Sequence, residues 1–247
     1  MSLPDASRGA PSLESGDAGG TFFASVGVKL GSLQPEAVLA APAGGVRGFW
    51  QSGPHWIAHA GVAAEIDARE WDSDADDRFA AVKERARRLF EAPWVRDLDG
   101  VAGRPRLHGG FAFHAGAALE PEPGFWEAFP AARFVLPAFE VEADERGARL
   151  TVTQRFPAST PGDRAIDELR RRADRTREQL SELDGSGAAP GPTPRATALE
   201  SPVGPEVWRQ GIERILDAIA RGEVRKVVLA RPLDVTLTEP PDSAGVL

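Results

Sequence analysis

Between Thr21 and Leu30 the apolar residues Phe22, Ala24, Val26, Val28 and Leu30 fall on alternate positions, the period of a strand with one buried face. Val46 to Gln51 and Trp56 to Ala60 are short Trp-bearing runs separated by Ser52-Gly53-Pro54, and they predict a hairpin. The period lengthens over Asp72 to Phe90, where Phe79, Val82, Ala86, Leu89 and Phe90 recur at helical spacing behind Asp72 or Ser73 as N-cap. Arg85, Arg87 and Arg88 crowd the far end of that helix, where they suit its dipole and read as solvated surface. Strand character returns in the glycine-bearing Arg106 to His114. A second predicted hairpin joins Arg133–Glu142 to Ala148–Gln154 around Asp144-Glu145-Arg146-Gly147. From Asp163 to Leu183 a thin stripe of Ile166, Leu169, Ala173, Leu180 and Leu183 in a charged background predicts a helix lying on a surface.

The pattern breaks over Gly185 to Pro205, where Pro190, Pro192, Pro194, Pro202 and Pro205 are spaced by Gly, Ala, Ser and Thr, the composition of a linker. Beyond it Trp208, Ile212, Ile215, Leu216 and Ile219 mark one face of a helix ending at Gly222. The run Lys226-Val227-Val228-Leu229-Ala230-Arg231 then predicts a strand, and Leu233 to Leu237 alternates again before Glu239-Pro240-Pro241. A helix with the beginning of a sheet leaves apolar faces wet, so this last unit reads as unfinished. The expected organisation is a disordered tail over residues 1–20, an α+β subdomain over 21–200, and the truncated start of a second domain over 201–247.

Composition narrows the functional classes. A chain of 247 residues that is 42% apolar can bury a real core, and a formal charge of −8 argues against phosphate-driven nucleic-acid binding. The absence of cysteine excludes disulfides, thiolate nucleophiles and cysteine-ligated metals. Residues 1–20 lack the apolar stretch of a secretory signal, and no run of about 18 apolar residues occurs. A cytoplasmic protein with no membrane partner is expected, and its oligomeric state stays open.

Lys226 is the residue whose chemistry stands out. Of 29 lysines and arginines only Lys29, Lys83 and Lys226 are lysine, so arginine serves almost everywhere a surface cation is needed. Arginine stays charged in essentially any environment, whereas a desolvated lysine loses its proton and acts as a base. On an extended backbone Lys226 shares a face with Val224, Val228 and Ala230, so burial there could lower it by the roughly 3 units that a base near neutral pH needs. Spacing alone favours the plainer alternative, a lysine that snorkels from a sheet rim or pairs with a carboxylate, because buried lysines are rare.

The histidine pairs His55/His59 and His108/His114 each have a separation that places both on one strand face, but with no carboxylate cluster beside them in sequence they read as turn or surface residues rather than as a metal site. Gly109-Gly110 reads as a bulge or a crowded sheet contact. The arginines at 170, 171, 172, 175 and 177 interleave with acids as a salt-bridged helix face. No phosphate-binding loop, dinucleotide fingerprint or serine elbow is present.

Trp208 to Arg231, an amphipathic helix followed by Gly222-Glu223 and KVVLAR, resembles the opening of the chorismate-binding domain of isochorismate, salicylate, anthranilate and aminodeoxychorismate synthases. Gly48–Ile66, Leu107–Gly116 and Phe125–Glu142 are similar to the N-terminal half of menaquinone- or siderophore-type isochorismate synthases, and the resemblance covers residues 21–247. It implies an α+β fold of the aminodeoxychorismate synthase type, incomplete in this chain, with mostly antiparallel sheets and outer helices. Lysine at the first position of KVVLAR is typical of members that add water to chorismate, where glutamine accompanies ammonia. The resemblance thus makes Lys226 the general base that activates water against C2 of chorismate as the 4-hydroxyl leaves. It also implies Mg²⁺, with the metal ligands and the general acid lying beyond residue 247, so the chain alone is expected to be inactive. Salicylate synthase and a non-catalytic binding module remain the alternatives.

Overall fold

The computed structural model describes residues 20–40, 46–67, 77–96, 103–112, 130–185 and 194–240. The tail expected over 1–20 (Gly20 apart), the caps Asp72 and Ser73, His114 and residues 125–129 lie outside them. Two compact units are present, Met1–Ala188 and Ala189–Leu247.

The first unit is built on a seven-stranded sheet. Its strands are β1 (Thr21–Leu30), β2 (Arg47–Ser52), β3 (His55–Asp67), β4 (Trp94–Arg96), β5 (His108–Phe111), β6 (Ala132–Asp144) and β7 (Gly147–Pro157). They run in the order β2-β3-β6-β7-β1-β4, with β5 also paired to β6. Among the described residues, only the β1–β4 pairing of this sheet is parallel. Both predicted hairpins form. Gly53 holds a φ of 59° in the two-residue turn that closes Ser52 against His55, and the β6–β7 turn is tied by Arg146 N donating to Asp144 Oδ1 at 2.7 Å.

Helices α1 (Pro35–Ala40) and α3 (Gly162–Gly185) cover one face of the sheet. There Phe22, Ala24, Val26, Trp56, Ala58, Val141, Leu150 and Val152 pack against Ala165, Ile166, Leu169, Ala173 and Leu180. The expected α3 stripe is the one that packs, because alternating strand residues and residues three or four apart on a helix each present one continuous surface. Helix α2 (Asp77–Glu91) seals part of the opposite face, where Leu89 joins Phe23, Ala64 and Leu136.

One expectation fails on this unit, and two further features of its packing have local causes. β1 buries both faces from Phe22 to Val26, not one, because β4 places Trp94 against Phe23 at a ring separation of 4.9 Å while α3 covers the other side. The even-numbered residues of β3 change sides at an irregularity between Val62 and Ala64, so Trp56 and Ala58 face α3 while Ala64 and Ile66 join the cores opposite. Phe79, on the apolar stripe of α2, is 51% exposed and packs its ring on Phe111 at 4.4 Å beneath the Arg78 guanidinium.

The second unit holds α4 (Pro205–Ala220) and the antiparallel pair β8 (Ala196–Glu200) and β9 (Asp234–Leu237). Pro205 opens α4 at a position that needs no N–H, and Gly222 (φ 72°) follows its C-cap. Strand β8 corrects the linker reading of Gly185–Pro205: Ala196–Glu200 finds a partner in β9, a pairing between distant segments that local composition does not display. No helix among the described residues is long and apolar enough to cross a membrane.

Candidate functional site

Lys226 belongs to the second unit, and it is not on a strand. Residues 226–233 have no regular secondary structure, which corrects the strand expected over 224–231; an extended run becomes a strand only with a paired neighbour, and β8 and β9 pair with each other. The run instead folds back on α4. Leu229 sits so close to Gly211 that a Cβ there would meet its Cδ2 at 3.3 Å, and the Arg231 guanidinium lies 5.8 Å from the centre of the Trp208 ring. Leu229 and Arg231 thus turn to the helix, while Val228 is 80% exposed. Lys226, two residues before Val228, is exposed as well, as in the solvated alternative that its spacing favours. Core packing is likewise missing from α4 itself, which buries none of its residues and leaves Ile212, Leu216 and Ile219 exposed.

The first unit gathers titratable groups that the sequence pattern kept apart. On the sheet face opposite α3, Glu140 and Glu142 stand two residues apart on β6 and so point the same way. Arg106 bridges them, with Nε 3.0 Å from Glu140 and Nη2 2.7 Å from Glu142. His108 Nε2 lies 2.6 Å from Glu140, His55 Nε2 lies 3.0 Å from Glu142, and Arg149 also donates to Glu142. Burial alone would raise the Glu142 carboxyl, but hydrogen bonds from Arg106, Arg149 and His55 outweigh it and hold it at about 2. His59 completes the group with its ring 4.4 Å from that of His108. Burial chiefly, then repulsion from His108, pushes it down to about 4 against the weaker pull of Glu140.

This placement corrects the reading of His59 and His108 as turn or surface residues, while His55 directly follows the β2–β3 turn with its side chain 38% exposed. His59 is 8% exposed, and two of the three described histidines touch carboxylates. The missed signal is the E-x-E spacing on β6: two acids on one face of a central strand need cations, and three of the partners come from segments 32 or more residues away. Glu140 and Glu142 are already engaged with these cations and imidazoles. Among the described residues no group of three His, Asp or Glu side chains is arranged to hold a metal ion. A hollow of about 410 Å³ at the start of α3 is lined by Arg155, Ser159, Thr160, Arg164 and Glu168 among others.

The family model of the chorismate binding enzymes matches residues 14–247. The chain belongs to the chorismate-binding enzyme family. Among solved structures it is similar to MenF, the menaquinone-specific isochorismate synthase from Escherichia coli, with a TM-score of 0.52 and 18% sequence identity. The match covers 92% of this chain and 44% of MenF, so the chain spans less than half the length of that relative. At this identity the likeness concerns the fold: a mixed α+β architecture with a mostly antiparallel sheet and few helices. No curated protein matches the chain by sequence.

Proposed function

We propose that this family member is the N-terminal portion of an isochorismate synthase and that Lys226 is its general base. The observation that carries the reading is the family match extending through KVVLAR, with lysine where a water-activating member needs a group able to accept a proton. In the proposed step the neutral Lys226 amine takes a proton from water as the water oxygen bonds to C2 of chorismate. Both ring double bonds shift by one position, and the 4-hydroxyl departs as water once an acid protonates it, giving isochorismate. The similarity in fold to MenF is consistent with this reading, and salicylate synthase remains the second member that would use the same lysine.

Lys226 alone does not complete the chemistry. Its exposed position leaves the amine hydrated, and activation as a base requires that this water be removed. Mg²⁺ would supply charge stabilisation at a carboxylate, but the described residues offer no fitting ligand set for it. The exposed face of α4 and the open side of KVVLAR are the surfaces that further catalytic elements would cover, which agrees with a chain spanning 44% of MenF.

The purified 247-residue chain, assayed with chorismate and Mg²⁺ by chromatography of the products, is expected to give no isochorismate; robust turnover overturns the incomplete-site reading. In a form carrying the whole catalytic half, Lys226→Gln is expected to lower isomerase kcat at least about 100-fold, the scale of a lost general base. Full activity in that variant removes Lys226 from the mechanism.

A further inference from the structure

The buried histidine of the first unit has no role in the proposed chemistry, and its surroundings are unusual for a neutral core residue. His59 lies on β3 opposite Gly48 of the edge strand β2, which among the described residues is paired only to β3. The ring rests directly on Gly48: a Cβ at that position would fall 2.3 Å from His59 Nε2. Its other neighbour is the His108 ring on β5, and His59 Nδ1 is buried without a hydrogen-bond partner. Besides its backbone pairing with β3, β2 therefore rests on an imidazole held between its own glycine backbone and a second imidazole.

We propose that His59, with His108 and Glu140, forms a proton-operated latch: neutral His59 seats the edge strand β2 on the sheet, and charged His59 releases it. The groups that face it decide the sign. β5 presents His108, β6 presents Glu140 with Glu142 beyond it, the segment before β5 presents Arg106, β7 presents Arg149 through Glu142, and β2 presents the uncharged Gly48. Glu140 would attract an imidazolium at 59, but it is already engaged by Arg106 and His108. A charge on His59 would therefore meet His108 across the stack, with little unspent negative charge and no acceptor at Nδ1. Release of β2 returns His59 to water, where an imidazolium is readily hydrated. His59 is held down to about 4 in the seated state from an ordinary value of 6.5. The seated state thus keeps its full advantage above 6.5 and loses it as the pH falls from about 6.5 towards about 4.

The test is amide hydrogen exchange on the whole chain between pH 7.5 and 4.5, expressed as protection factors so that the intrinsic pH dependence of exchange cancels. Residues 47–52 of β2 are expected to lose protection about tenfold per pH unit below 6.5, while residues 148–157 on β7 hold theirs. His59→Gln should abolish that slope. His108→Gln, which removes the repulsion and leaves His59 in place, should flatten it, and it serves if the first variant does not fold. Two results overturn the latch: a pH-independent β2, or a loss of protection shared equally by β7, which would be global acid unfolding.

Discussion

At the residue scale the polar cluster on β6 sets the most specific expectations. The Glu142 carboxyl titrates at about 2 in the fold and at 4.5 ordinarily, so its stabilisation is complete above pH 4.5 and lost as the pH falls towards 2. Discounted for partial exposure to solvent, that difference is worth about 1–2 kcal/mol. Glu142→Gln should therefore lower the stability measured by urea unfolding at pH 7 by that amount, and the gap to the parent should close between pH 4.5 and pH 2. A gap independent of pH would mean that packing of the side chain matters and its charge does not. A second expectation concerns space. Gly48→Ala places a methyl group against the buried His59 ring, which is hemmed in by His108, so about 1–3 kcal/mol of stability should be lost, measured as a drop in Tm.

At the element scale α3 carries the larger energies. Leu169 is fully buried between the helix and the sheet, so Leu169→Ala should cost about 3 kcal/mol in chemical denaturation, whereas Leu216→Ala on the exposed face of α4 should cost less than about 1 kcal/mol. The contrast is instructive because both helices show equally clear apolar stripes in the sequence. Periodicity makes β1, both hairpins, α3 and α4 legible, since each of these patterns repeats within its own segment. It misses α1 and β4, which are too short to show a period, and β8, whose pairing with β9 joins segments 34 or more residues apart. The strand expected at KVVLAR fails for a related reason: β-type composition marks a segment able to pair, and a partner strand has to exist before it does. The candidate site divides in the same way. Lys226 is conspicuous because lysine is scarce in this chain, while the clustering of His55, His59, His108, Arg106 and Arg149 around Glu140 and Glu142 depends on pairing between strands and is invisible along the chain.

At the scale of the whole molecule the two units differ in what holds them together. Among the described residues the three clusters of buried apolar side chains all lie within Met1–Ala188, where a sheet is covered by α1 and α3 on one face and partly by α2 on the other. Ala189–Leu247 has a four-to-five-residue strand pair and a helix with no buried residue, while Leu199, Val207, Leu216, Val228 and Leu233 are all exposed. Burying a leucine or valine contributes about 1.5–3 kcal/mol, and a unit whose described residues include no buried one has little of that kind to set against the conformational entropy of roughly fifty residues. Residues 1–188 expressed alone should therefore melt as a single cooperative transition in calorimetry. Residues 189–247 alone should show no heat-absorption peak and should bind a hydrophobic dye at neutral pH. A sharp calorimetric transition in the isolated second unit would show that its apolar face closes on itself, and the surface assigned to further catalytic elements would then no longer be available to them.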